Sequence, residues 1–206
     1  MSMAVKTARA DQAQATRHAL IDAARDLFGA NGYAATSLDE VVEAADVTKG
    51  ALYHHFENKA GLFAAVYKSV KRDLARQVAD AQMPPEPWDS LVAGARKWVE
   101  VHTDPAVVQI VLRDARAVLS SEAWHEVDRQ WGTVIVRSAL RRAINHGVLA
   151  PAPLAALATI VRGAYTEACM LVAESDDPDA DREAALDIIV RLLSGLRAPS
   201  AATADG

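Results

Sequence analysis

Apolar residues recur three and four positions apart through almost the whole chain, the spacing of one face of an α-helix. In 16–30 the inward set is Ala19, Leu20, Ala23, Ala24, Leu27 and Phe28, with Asn31-Gly32 as the stop. Ser37 and Glu40 have capping-box spacing, and Leu38, Val41, Val42 and Ala45 then share one face. Asp46-Val47 interrupts the pattern and Thr48 supplies a second N-cap. Leu52 and Phe56, four apart, turn the short helix that follows inward. Asn58 caps a long helix at 59–82 with Leu62, Phe63, Val66, Tyr67, Val70 and Leu74 on one side, which Pro84-Pro85-Glu86-Pro87 ends.

The second half repeats the pattern. A stripe of Trp88, Leu91, Val92, Ala95, Trp98, Val99 and His102 predicts a helix over 88–102, and Thr103-Asp104-Pro105 restarts the chain into 107–119. A helix over 122–146 points Trp124, Val127, Trp131, Val134 and Ile135 inward and stops at Gly147. The helix over 154–174 is apolar nearly all round, which predicts burial on more than one side. Pro178 opens the last helix, 179–196, with Leu186, Ile189, Val190, Leu193 and Leu196. The fold class is therefore all-α, about nine helices. Residues 1–58 are expected to form a three-helix head with a flexible N-terminal arm over 1–14. Residues 59–197 should form a second helical domain, and 198–206 a disordered tail.

Composition changes this picture little. The chain has 206 residues, 51% of them hydrophobic, enough for a substantial core. No apolar stretch is expected to reach the roughly 20 residues of a membrane span. MSMAVKTARADQAQ lacks the apolar segment of a secretory signal. Cys169 is the single cysteine, so no intramolecular disulfide can form, and a cytoplasmic location is expected. Its setting between Ala168 and Met170 suggests a buried inert thiol. The formal net charge of −5 argues at first against nucleic acid, and acids outnumber bases within 1–60 as well. Placement has to supply what the total does not: Lys49 and Lys59 flank the short third helix, while Asp39, Glu40 and Glu43 fall at or near the first turn of the second, where its dipole favours acids.

Residues 37–56, SLDEVVEAADVTKGALYHHF, read as a helix-turn-helix. With Leu52 and Phe56 inward, Lys49, Gly50, Ala51, Tyr53, His54 and His55 are left near the exposed start and side of the third helix, where a recognition helix meets base edges and phosphates. Ser37, Thr48 and Lys59 complete the candidate DNA-binding set. The stretch TRHALIDAARDLFGANGYAATSLDEVVEAADVTKGALYHHFENKAGLF, residues 16–63, resembles the N-terminal domain of the tetracycline-repressor (TetR) family of bacterial transcription regulators. One departure stands out: Asp46 occupies the turn position usually filled by Gly. Asp tolerates a left-handed backbone better than most residues, so the turn is expected to survive.

No enzyme is evident. His125-Glu126-Val127-Asp128-Arg129 lacks the second histidine of a zinc-protease helix, the adjacent His54 and His55 cannot share a metal from one face, and no phosphate loop or serine elbow occurs. No cofactor or metal is expected. Polar groups do interrupt apolar stripes: His102, Asp114 and Glu167. Singly, each reads more simply as a core group satisfied by a neighbour or the backbone. Together with Trp98, Trp124 and Trp131 they suit an apolar cavity with a few polar fixing points, and Arg113 is a candidate counter-charge for an acidic ligand. The resemblance implies such an effector site and a homodimer through the last two helices, for which Leu157, Val161, Leu171, Leu186, Ile189 and Leu193 are the candidate interface. The expected protein is a dimeric, ligand-responsive repressor released from a palindromic operator by a small apolar or amphipathic molecule. The alternatives are an activator or ligand-independent DNA-binding protein of the same fold, or a helical ligand-binding or enzymatic protein with a vestigial head.

Overall fold

The computed structural model describes residues 2–199, with side chains from residue 10 onward, and these form nine helices and no strand. They are α1 (Ser2–Ala35), α2 (Leu38–Ala44), α3 (Lys49–His55), α4 (Lys59–Ala79), α5 (Pro87–His102), α6 (105–118), α7 (121–145), α8 (Leu154–Ala173) and α9 (Pro178–Ser194). Two of them carry a π-helical stretch, Val108–Asp114 in α6 and Asp128–Gly132 in α7.

Residues 2–14, expected as a flexible arm, are helical. The reason is local: no Gly or Pro precedes Gly29, and the segment is rich in Ala, Lys, Arg and Gln, all strong helix formers. Asn31-Gly32 interrupts the helix as expected, Gly32 taking the non-helical φ 81° and ψ 163°, and a short helical turn then runs on to Ala35. The disordered tail expected at 198–206 falls mostly on residues outside those described. Ala198 itself is tied down, its N–H donating to the Val148 carbonyl at 3.1 Å while Ala150 N–H donates to Leu196 O at 2.9 Å.

The expectation that no stretch reaches membrane-span length does not hold for α8, which is long and apolar enough by length and composition. A core helix meets the same criteria, and α8 does bury Ala158, Val161, Tyr165, Ala168, Cys169 and Val172.

Contacts divide the chain into two compact units, and not at residue 58. The first comprises the residues up to Val70 with Pro105–Trp124; the second comprises Lys71–Asp104 and the residues from His125 onward. The first unit has a core of Leu20, Phe28, Val41, Leu52, Phe63 and Val66, completed by α6. There the Tyr33 N–H donates to Asp114 Oδ2 at 2.8 Å. A Cβ at Gly29 would stand 2.7 Å from the Cβ of Ala106, so the approach of α6 to α1 requires glycine at that position. In the second unit α8 packs against α5, α7 and α9 around Trp98, Leu140, Tyr165, Leu186 and Leu193.

Helical periodicity misplaced part of the buried row on α7, a helix that carries a π turn. A π turn inserts one extra residue, rotating everything after it by roughly 100°. Along α7 the buried row runs through Asp128, Gly132 and Val136, each one position past the expected Val127, Trp131 and Ile135, and the offset is already present at Asp128, where the π stretch begins.

Candidate functional site

The exposed face of α2 and α3 is assembled by caps. Glu40 N–H donates to Ser37 Oγ at 3.2 Å and Ser37 N–H donates to Glu40 Oε2 at 2.6 Å, so the predicted capping box is complete. That amide bond holds the Glu40 carboxyl below its usual range. At the other end of α2, Asp46 N–H donates to Glu43 O and Val47 N–H to Val42 O, the paired bonds of a Schellman motif. Asp46 takes φ 50°, the left-handed conformation the turn demands. Thr48 then caps α3, accepting from Ala51 N–H at 3.2 Å. Leu52 and Phe56 are buried as expected and fix the helix by its inner side.

The candidate DNA-contacting residues take several different positions on this scaffold. Ser37 and Thr48 serve as caps and remain exposed. Gly50 is open, the nearest atom to an added Cβ being Thr48 Oγ1 at 3.9 Å. Ala51 is half-buried beside it, and Tyr53 is 52% exposed, unusual for so large an apolar surface. Lys49 Nζ lies 2.6 Å from Asp39 Oδ1, both side chains being largely exposed. Such a pair is weak in water, and a phosphate can compete for the ammonium. His54 is exposed and His55 half-buried, their rings edge-to-face at 5.2 Å. Burial, then the neighbouring His54 and Arg17, lowers the His55 pKa, so at neutral pH His55 offers a neutral ring to any partner. Lys59 is committed within the fold: its Nζ sits 4.3 Å from the Tyr33 ring centroid and donates to Ala34 O at 3.5 Å. Sequence reasoning passed over Arg17, whose guanidinium covers the Phe56 ring at 5.3 Å. The pair is remote in sequence, and helical periodicity carries no signal for it.

The second unit contains a cavity of about 500 Å³, lined mainly by apolar side chains of α4, α5 and α7, with Trp98 and Tyr165 in its wall. Of the residues expected to line an effector site, only Trp98 does so. His102 is buried beneath it, stacked at 4.3 Å with the rings 13° apart, its Nδ1–H donating to Trp98 O at 2.9 Å. Burial, reinforced by the Lys71 charge, pushes the His102 pKa down to about 3. Trp131 is half-buried outside the cavity lining and Glu167 is exposed. Asp114, Arg113 and Trp124 belong to the first unit. There Asp114 bonds Tyr33, Arg113 is exposed, and Trp124 lies under the Arg116 guanidinium at 5.2 Å.

What the sequence did not reveal is a buried charge cluster behind Trp98. Asp128 Oδ2 lies 3.1 Å from Arg162 Nε and accepts from Thr133 Oγ1 at 3.2 Å, while Asp128 Oδ1 is 3.9 Å from Lys71 Nζ. Lys71 is 5% exposed and stands 5.5 Å from the Trp98 ring centroid. Burial lowers its pKa, against the opposing pull of Asp128. Burial also raises the pKa of Tyr165, and that of Cys169 to about 12, so the thiol is protonated and inert. A Cβ on Gly132 would come within 2.8 Å of Asp128 Oδ1, so this π turn and its carboxylate are packed as one unit.

The expected dimer residues divide by burial. Val161, Leu186, Ile189 and Leu193 are consumed inside the protomer, Leu157 is half-buried, and Leu171 is exposed. The apolar residues left open on α8 and α9 are instead Ile160, Leu171, Ile188 and Leu192.

Comparison with known proteins places both parts of the chain. Residues 20–66 match the family described as bacterial regulatory proteins, tetR family, and residues 88–196 match the tetracyclin repressor-like C-terminal domain. The chain is 29% identical over 141 residues to the HTH-type transcriptional regulator AcrR of Shigella flexneri, covering 68% of this chain and 61% of that one. It is 30% identical over 106 residues to the "Probable acrEF/envCD operon repressor" of Escherichia coli K12, covering 48% of each. The match thus spans less than two thirds of the length of these curated relatives. A TetR-family transcriptional regulator from Pectobacterium atrosepticum has a solved structure that superposes with a TM-score of 0.77 at 32% identity, over 92% of this chain and 97% of that one. With a capped helix-turn-helix ahead of a helical domain, and both halves matched, the chain belongs to the tetracycline-repressor family of bacterial transcriptional regulators.

Proposed function

We propose that the protein is a homodimeric repressor that reads a palindromic operator through α3 and is released by a small molecule held in the cavity beside Trp98. The observation that carries the reading is the exposed set Lys49, Gly50, Tyr53 and His54 on a helix whose caps and turn are all satisfied within the head. Two such helices related by a two-fold axis address half-sites one helical turn apart. The exposed apolar row on α8 and α9 supplies the seam. One relative is named as a probable operon repressor, and the resorcinol complex of RolR, a structural neighbour with a TM-score of 0.69 at 19% identity, supports a ligand-bearing helical domain in this fold. Val78 and Ala79 of α4 line the cavity, and the same helix begins in the head, so a ligand that prefers one setting of α4 changes DNA affinity by its differential binding.

Selection of DNA from a random library by the purified protein tests this. A palindromic consensus, bound with an affinity that falls steeply with salt, is the expected result. Binding that shows no sequence preference at low salt would remove the regulatory reading.

A further inference from the structure

We infer that the cavity takes an amphipathic carboxylate, its apolar body against α4, α5 and α7 and its anion at Arg142; this rests on the reading of that cavity as the effector site. The lining contains no Asp or Glu, and Arg142 is its one charged side chain. Arg142 is exposed, which puts its guanidinium at the solvent edge, and it makes no ion pair among the described residues. Deeper in, two lining residues bury polar atoms without a partner among the described residues: Trp98 Nε1 and Ser90 Oγ. Both side chains are more than nine-tenths buried.

The chemistry of these groups points one way. An indole N–H and a guanidinium can only donate, and the Ser90 hydroxyl can donate as well. An unpaired buried donor costs roughly as much as a lost hydrogen bond, so an oxygen acceptor that reached either atom on binding would relieve that cost. A cationic ligand would find no counter-charge here, and a pure hydrocarbon would leave the indole unpaired. Behind Trp98 the buried cluster sets two basic side chains, Lys71 and Arg162, against the single carboxylate of Asp128, so no excess of acid behind that wall opposes an anion. The apolar majority of the lining accommodates a chain or ring of modest size, as ligand cavities of this volume do.

Titration calorimetry on the full-length protein, with no DNA present, tests the inference using decanoate, decanamide and decyltrimethylammonium below their micellar concentrations. Decanoate is expected to bind, decanamide roughly tenfold more weakly and the cation more weakly still. Arg142→Gln should weaken decanoate by roughly tenfold while leaving decanamide unchanged, since the guanidinium is exposed and supports no packing. Equal affinities for decanoate and decanamide, an unaffected Arg142→Gln variant, or no decanoate binding would each overturn it. A separate measurement of operator release keeps the two readings apart. Decanoate that binds through Arg142 without releasing DNA upholds the carboxylate site and removes its effector role; release by decanamide as readily as by decanoate upholds the effector role and overturns the carboxylate site.

Discussion

Adjacent leucines on α9 make the sharpest test of how this chain associates. Leu193 is 2% exposed, packed inside the protomer, whereas Leu192 is 60% exposed beside Ile188. Leu193→Arg removes a buried side chain, a loss of about 2–5 kcal/mol in large-to-small terms, and leaves a guanidinium without a partner in the core. The total reaches the scale of a domain's whole stability, about 5–15 kcal/mol, so this variant should melt far below the parent or fail to fold. Leu192→Arg meets mostly solvent in the isolated protomer and should change its stability by no more than about 0.5 kcal/mol. If Ile160, Leu171, Ile188 and Leu192 form the seam, two-fold symmetry places the new charge there twice. At about 2 kcal/mol for each copy, dimer affinity should fall roughly a thousandfold. Sedimentation velocity at micromolar protein, with circular dichroism to confirm folding, reads both effects. The expected outcome is a folded Leu192→Arg monomer that has lost operator binding. A folded Leu192→Arg dimer would show that the seam lies elsewhere and that this exposed row serves another purpose.

Further outcomes follow from the head and from the buried histidine. Lys49→Ala should weaken operator binding and lower the salt dependence by about one phosphate contact, with melting nearly unchanged because its Asp39 pair is largely exposed; undiminished affinity would place the DNA contact on another helix. Asp46→Gly should raise stability by up to about 1 kcal/mol, since glycine adopts φ 50° without strain, and Asp46→Val should lower it; the reverse order in thermal melts would contradict the left-handed turn. His102, with a folded-state pKa of about 3 against 6.5 ordinarily, stays neutral while the unfolded chain protonates. Its contribution is therefore complete above about pH 6.5 and declines as pH falls towards 3, by about 1.4 kcal/mol per pH unit. Denaturant titrations of the parent and of His102→Gln should converge as the pH is lowered from 7 to 4.5, and parallel curves would show that His102 is solvated.

The residues alone determine much of this protein, because much of it is local. Ser37 with Glu40, Thr48, Asp46 before Val47, and the i, i+4 pair Leu52 and Phe56 act within a few residues of themselves, so caps, turn and inward face could be read directly and the structure reproduces them. Family membership follows from the same short run. Tertiary structure decided what depends on distance and phase. On α7 the buried row falls one position past the expected stripe, and the Asp128 carboxylate it buries gathers Lys71 and Arg162, ninety-one positions apart. Asp114 looked like a cavity residue on its stripe, yet the packing of α6 onto α1 commits it to the Tyr33 amide. On α8 and α9 an apolar helix face can meet its own protomer or another surface, and composition does not distinguish them. Only the burial of Leu186, Ile189 and Leu193, against the exposure of Ile188 and Leu192, shows which face the fold has used and which it leaves open.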